Sequence, residues 1–223
     1  AGQFLSPLVR VRPGGYGGFV HQGPGAGGKT MNIVRSELIL GGQKSGKSRR
    51  AEALAAGWLA RGADHRALLL VTGQAHDAEM RARIARHQAD RRERAPRLQT
   101  VEAPRDLAQA LRRHGTAQTL IVVDCLTLWL TNWLMPVAGE LEQKQAPAQD
   151  WQAQQALFFE VLEQAPGPVV LVGNEIGLGV IPLGSGVRAF VDALGLLNQR
   201  AAAACERVTL MAAGLPLTVK GAP

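Results

Sequence analysis

Residues 38 to 48 read Leu-Ile-Leu-Gly-Gly-Gln-Lys-Ser-Gly-Lys-Ser, an apolar run leading into Gly41-x-x-x-x-Gly46-Lys47-Ser48. A helix-forming stretch, Arg49 to Arg61, follows. Strand, glycine loop and helix in that order are the setting a phosphate-binding loop requires. The glycines let the backbone curl, so the N–H groups of Gly41, Gly42, Gln43, Lys44, Ser45 and Gly46 can point inward around a polyphosphate. The positive end of the helix adds to that field. Lys47 can reach the outer phosphates, and the Ser48 hydroxyl can sit on Mg²⁺.

Residues 23 to 30, Gly-Pro-Gly-Ala-Gly-Gly-Lys-Thr, satisfy the same pattern in the wrong setting. Only Phe19-Val20 precedes them as strand, and Met31-Asn32-Ile33-Val34 follows in place of a capped helix. The surrounding composition is that of a glycine-rich linker. Residues 1–33 are therefore expected to be a flexible extension, with Met31 a plausible alternative start, and residues 34–223 the functional domain.

The rest of the chain alternates. Strands are expected at Leu38–Leu40, Ala67–Thr72, Leu98–Val101, Leu120–Asp124, Val169–Val172 and Val208–Met211. Helices are expected from an Asp77 cap to about Arg92, from Pro104 to Arg113, after Asp124, from an Asp150 cap to Gln164, and from Ser185 to Glu206. Gly139 to Gln149 reads as a polar loop. Apolar strands alternating with helices define an α/β fold, a mostly parallel sheet covered on both faces, of the RecA-like P-loop NTPase class. Its site lies at the carboxyl edge of the sheet.

Composition excludes several alternatives. Cys125 and Cys205 lie in apolar or alanine-rich runs without metal-type spacing, which suits buried thiols in a reducing, cytoplasmic setting. No charged segment followed by an apolar one marks the N-terminus for secretion. Residues 119 to 138 are long and apolar, but Asp124 and Asn132 interrupt them, and strand then helix explains them better than a membrane span. The net charge is +7, and residues 81 to 113 carry ten arginines against four acids. Aromatics make up only 4% of the chain, and no base-stacking platform appears, so a solvated face or a pocket for a phosphorylated small molecule is favoured over nucleic acid.

Four further segments can carry chemistry. Asp124 ends a buried strand, as the Mg²⁺ partner of Ser48 or as a cap for the next helix. Thr72-Gly73-Gln74 lies at the same edge, contacting nucleotide or turning the chain. Met80, Ile84, His87 and Arg91 share one helix face. There His87 is either a packed side chain or a nucleophile, since neutral imidazole can attack phosphorus to form a phosphoramidate. Asn174-Glu175 follows a strand at the carboxyl edge and either faces substrate or caps a turn.

In one order the chain carries GGQKSGKS, EMRARIARHQADR, VDCLTLWLTN, VGNEIGLGVIP, RAFVDALGLLNQRAAAACERV and GLPLTVK. It resembles the bifunctional adenosylcobinamide kinase / adenosylcobinamide-phosphate guanylyltransferase family of cobalamin biosynthesis, over roughly residues 36 to 220. The resemblance implies phosphorylation of adenosylcobinamide by a nucleoside triphosphate, ATP or GTP. Transfer of GMP from GTP to the cobinamide phosphate through a histidine would follow. It puts that histidine at His87 and nucleotide contacts at Gly41 to Ser48, Thr72 to Gln74, Asp90, Arg91, Arg92, Glu93, Glu102 and Asp124. A homotrimer is the family's usual assembly. Some members carry two adjacent histidines where this chain has Arg86-His87. A plain small-molecule kinase or a nucleotide-binding module without catalysis are the rival readings, and no N-K-x-D guanine signature is present.

Overall fold

The computed structural model describes residues 32–75, 78–135, 147–180 and 183–222. Seven strands form one sheet: β1 (Ser36–Gly41), β2 (Arg66–Val71), β3 (Leu98–Glu102), β4 (Thr119–Asp124), β5 (Val169–Val172), β6 (Arg207–Ala212) and β7 (Leu215–Lys220). Their order is β3-β2-β4-β5-β1-β6-β7. All neighbours are parallel except β6 and β7. The helices are α1 (Lys47–Leu59), α2 (Ala78–Arg94), α3 (Leu107–His114), α4 (Leu126–Leu134), α5 (Pro147–Glu163) and α6 (Ser185–Ala204).

Side chains alternate across a strand with period two, so each central strand feeds two core layers. Ile39, Leu69, Leu120, Val122, Val170 and Val172 pack with Leu54, Ala55 and Trp58 of α1. Leu38, Leu70, Ile121, Val123, Val169 and Leu171 pack on the opposite face with Leu107 and Leu111 of α3, Trp129 and Leu130 of α4, Phe158 of α5 and Leu197 of α6. Because both faces are covered, the middle of β1 (Leu38–Leu40), the middle of β4 (Leu120–Val123) and all of β5 are apolar runs, as expected of parallel strands. The mostly parallel, two-faced P-loop architecture is therefore the one expected from the sequence.

Several elements differ from expectation. The helix anticipated from Pro104 begins at Leu107. Ala103 N–H instead donates to Val71 O at 2.9 Å, and the Pro104 and Arg105 carbonyls accept from Asn132 Nδ2 and Trp129 Nε1 at 2.8 Å each. Bonds from β2 and α4 hold residues 103–105 out of the helix. Helix α5 starts at Pro147, so Asp150 lies inside the first turn rather than at the cap. There its charge still favours the helix's positive end. Strand β7 was not anticipated. Ala213 (φ 50°) and Gly214 (φ 82°) make the two-residue turn that returns the chain antiparallel to β6, and positive φ at both positions is the hairpin signature. Most other boundaries shift by one or two residues, the ordinary fraying of element ends. The Asp77 cap, the first glycine-lysine match at residues 23–30 and most of the expected 139–149 loop lie outside the described residues.

Candidate nucleotide-binding site

The loop between β1 and α1 owes its shape to three positions. Gly41 has φ 152°, and a Cβ there would lie 2.6 Å from both Met211 O and Ser45 Oγ. Lys44 has φ 54°. Gly46, at the start of α1, has φ 102°, and its missing Cβ would lie 3.3 Å from the Cα of Gly214 in the β6–β7 turn. Gly214 N–H donates to Ser45 O at 3.0 Å, and Glu175 N–H donates to Gly41 O at 3.1 Å. The loop is thus held from both neighbouring strand ends, and its tip, residues 42–44, is exposed.

Lys47 is buried, and its ammonium donates to Gly42 O at 2.6 Å, which folds the charge back over the loop. Ser48 Oγ donates to Asp124 Oδ2 at 3.0 Å. Two oxygens that occupy adjacent positions around Mg²⁺ stand about 3 Å apart, so this pair fits the ion. Among the described residues there is no cluster of three acidic, His or Cys side chains. A Mg²⁺ ion held here would take its other ligands from water and phosphate, as that ion commonly does.

Asp124 is fixed by the residue after it. Thr72, fully buried, donates its hydroxyl to Cys125 O at 2.8 Å and accepts from Cys125 N–H at 2.9 Å. Thr72 N–H donates to Asp124 O at 3.1 Å, and Asn132 Nδ2 donates to Thr72 O at 2.8 Å. The Thr72 side chain is therefore committed to clamping the end of β4, while Gly73 and Gln74 beside it are half-buried. Burial, with Asp124 adding to it, pushes the Cys125 thiol up to about 12, and burial does the same to Cys205. Neither sulfur offers a thiolate to compete as nucleophile.

Helix α2 approaches from the same side of the sheet as α1. Buried Glu52 of α1 lies 3.0 Å from Arg94 Nε and 3.8 Å from Arg91 Nε, and Arg91 also donates to Thr100 Oγ1 at 3.0 Å. Burial raises the Glu52 carboxyl above its usual range, with Arg94 and then Arg91 pulling the other way. Arg91 is buried in this ion pair, whereas Asp90, Arg92, Glu93 and, on β3, Glu102 are exposed. His87 is exposed one turn before Arg91, and Met80 and Ile84 on the same stripe are half-buried, so His87 is not a packed core residue. Part of the basic run is satisfied internally: besides Arg91 and Arg94, Arg97 donates to Leu59 O, Arg105 to Asn132 O, and Arg112 lies 3.6 Å from Glu160.

The structure thus brings Lys47, Ser48 and Asp124 together and ties the histidine helix to α1 through Glu52. The sequence pattern assigns no site role to Glu52, Thr127 or Asn198, and marks Asn132 only as a break in an apolar run. Each is a polar residue within an apolar or alanine-rich helix, and each is buried. That mismatch is the signal that marks them.

A P-loop whose serine meets an acid from the tip of a strand one removed in the sheet defines a phosphate-transferring, nucleotide-binding protein. More narrowly, the chain belongs to the cobinamide kinase / cobinamide phosphate guanyltransferase family, whose model matches residues 37–219. It is 44% identical over 188 residues to the bifunctional adenosylcobalamin biosynthesis protein CobP of Pseudomonas aeruginosa, covering 84% of this chain and 98% of that one. It is 34% identical over 190 residues to the bifunctional adenosylcobalamin biosynthesis protein CobU of Escherichia coli, covering 82% and 98%. Among solved structures, the flagellar accessory protein FlaH from Methanocaldococcus jannaschii aligns over 84% of this chain and 78% of that one, with TM-score 0.44 and 12% identity.

Proposed function

We propose that this protein phosphorylates the aminopropanol hydroxyl of adenosylcobinamide with ATP or GTP and then guanylylates the product. In the second half-reaction, His87 attacks the α-phosphorus of GTP and pyrophosphate leaves. The GMP then passes from His87 to the cobinamide phosphate, giving adenosylcobinamide-GDP. Family membership supports the pair of reactions, and the observation that carries the nucleotide site is the 3.0 Å contact between Ser48 and Asp124 beside Lys47.

Each residue has a task that its chemistry suits. Lys47 neutralises charge growing on the transferred phosphoryl group. Ser48 and Asp124 would hold Mg²⁺, which supplies charge neutralisation between the outer phosphates. The exposed imidazole of His87 is open to an incoming phosphate, and Arg91, Arg92 and Arg94 lie within two turns of it on α2. Gly41 to Ser48, Gln74, Asp90, Glu93 and Glu102 complete the proposed nucleotide contacts. Thr72 contributes through the clamp on Asp124. The partners are corrinoid and nucleotide in the cytoplasm. Among the described residues no helix is long and apolar enough to cross a membrane. The proposed assembly is a homotrimer, and Leu215, Leu217 and Val219, exposed on the edge strand β7, are candidates for its interface.

GTP labelled at the α-phosphate tests this reading. Acid-labile, alkali-stable label should appear on the protein, and chase with cobinamide phosphate should remove it. His87→Asn should abolish the label and reduce guanylyl transfer by several orders of magnitude, while cobinamide phosphorylation falls far less. Labelling retained in that variant would refute the assignment of the nucleophile.

A further inference from the structure

In the segment after β5, Gly173-Asn174-Glu175, the Glu175 N–H supports the phosphate loop, but the Asn174 side chain has no role in the site as described so far. It leaves the sheet between β4, which ends in Asp124, and β1, which leads into the phosphate loop. The bonding to β1 continues through it: Gly173 N–H donates to Ile39 O at 2.9 Å and Glu175 N–H to Gly41 O at 3.1 Å. The chain is therefore still strand-like here, and the alternation of side chains decides where each residue faces.

Val169 and Leu171 face the layer built with α6, and Val170 and Val172 face the layer built with α1. Continuing the alternation puts Gly173 and Glu175 toward α6. Their contacts agree. A Cβ on Gly173 would lie 3.2 Å from Asn198 Oδ1 of α6, and Glu175 Oε2 lies 3.4 Å from Asn198 Nδ2. Asn174 must then face the α1 side. Asp124 faces that side as well, following Leu120 and Val122 along β4, and its contact with Ser48 shows it. Asp124 pairs with Val172, so Asn174 stands two residues further out than the serine–aspartate pair, on the same face. A polyphosphate cradled by the loop and reaching the Ser48–Asp124 pair would carry its outermost phosphate toward that face.

The backbone of Asn174 is fixed on both sides. Its N–H donates to Thr127 Oγ1 at 2.9 Å, and its carbonyl accepts from Asn198 Nδ2 at 3.1 Å. Thr127 and Asn198 are buried and belong to different helices, α4 and α6. The Asn174 carboxamide, by contrast, has no hydrogen-bond partner among the described residues. The alternative role, capping the turn, is filled by its neighbour: Gly177 N–H donates to Glu175 Oε1 at 3.0 Å. A polar side chain held rigidly and left uncommitted is how a binding residue is prepared.

We propose that Asn174 is the terminal-phosphate contact of the nucleotide site, its side-chain amide donating to an oxygen of the outermost phosphate. It thereby lets the site tell a nucleoside triphosphate from a diphosphate. The amide suits this position because it donates without bringing the negative charge that a carboxylate would set against phosphate. The assignment rests on the nucleotide half of the proposed function and needs no corrinoid.

The test is binding of the β,γ-imido analogue of GTP, and separately of GDP, to the full chain with Mg²⁺. In Asn174→Ala the analogue should bind about tenfold more weakly, the loss of one hydrogen bond to a charged group, with GDP affinity within about twofold of wild type. Asn174→Asp keeps the shape and reverses the interaction, so the analogue should suffer more than in the alanine variant. An unchanged ratio of the two affinities in either variant, or an equal loss for both nucleotides, would overturn the assignment. Selectivity that behaves as expected in a protein forming no GMP adduct would leave Asn174 in place and count against the guanylyltransferase reading alone. Wild-type protein binding neither nucleotide would refute both.

Discussion

Replacing Thr72 by valine removes one hydroxyl and leaves the shape of the side chain unchanged. That hydroxyl is fully buried and satisfies both the N–H and the C=O of Cys125. The Cys125 C=O keeps a second donor, the Trp129 N–H at 3.1 Å, so only the buried Cys125 N–H is left unpaired once the hydroxyl is gone. A buried unpaired group costs about 1–3 kcal/mol, so Thr72→Val should lose about 1–3 kcal/mol. At the about 2–4 °C per kcal/mol typical of a chain this size, the melting temperature should fall by about 2–12 °C. Thr72→Ser keeps the hydroxyl and loses a methyl, and should cost only about 1 kcal/mol. Urea unfolding with equal slopes for the three proteins measures the difference directly. Because the clamp sets the position of Asp124, the valine variant should also phosphorylate substrate more slowly below its melting transition, and the serine variant should not. A valine variant within about 0.5 kcal/mol of wild type would show that the clamp does not hold the end of β4.

Lys47→Ala should abolish both half-reactions with the circular dichroism spectrum unchanged, and near-normal turnover in a folded variant would remove the P-loop from the chemistry. Deletion of residues 1–30, or Lys29→Ala, should leave both activities nearly unchanged; a tenfold loss would show that the first glycine-lysine match binds phosphate after all. Glu52 gives a pH dependence. Its carboxyl is raised by burial, so folding takes up a proton between the ordinary and the raised value. The stability this contributes is complete below the ordinary range and is lost as pH rises through the raised value. Glu52→Gln cannot titrate, so denaturant midpoints measured through that window should decline in wild type and stay level in the variant; parallel profiles would contradict this.

The parts of the fold that local chemistry dictates were legible in the sequence. Val169–Val172 is a strand with the expected ends because an unbroken run of branched residues bounded by Gly-Pro and Gly-Asn leaves little choice. The phosphate loop was legible because its glycines serve the backbone itself. The Ser48–Asp124 pairing was legible because a strand tip and a loop at one sheet edge must converge. Features set by distant partners were not. The late start of α3 depends on carbonyls bonded to Asn132 and Trp129. Nothing in Thr72-Gly73-Gln74 says that the threonine serves Cys125 and not a nucleotide. The direction of Asn174 follows only from knowing which helices cover each face, although the residue itself stood out. Strand β7 was missed because Ala-Gly is a weak hairpin signal beside Asn-Gly, and Pro216 argues locally against a strand.

The strand order has a consequence for how this protein is made. β1 and the loop behind it leave the ribosome early, yet β1 has only two neighbours in the sheet, β5 and β6, beginning at Val169 and Arg207. The turn that backs the loop through Gly214 comes later still. Until synthesis has passed Gly214, the glycine loop lacks the strand end and turn it leans on, however well its own sequence is tuned. Such long-range closure slows folding. The nucleotide site is therefore completed only after β6 and the Gly214 turn have been made, and nucleotide cannot serve as a template for the chain before that point. It can act only as a late lock, capturing molecules whose final hairpin has already closed.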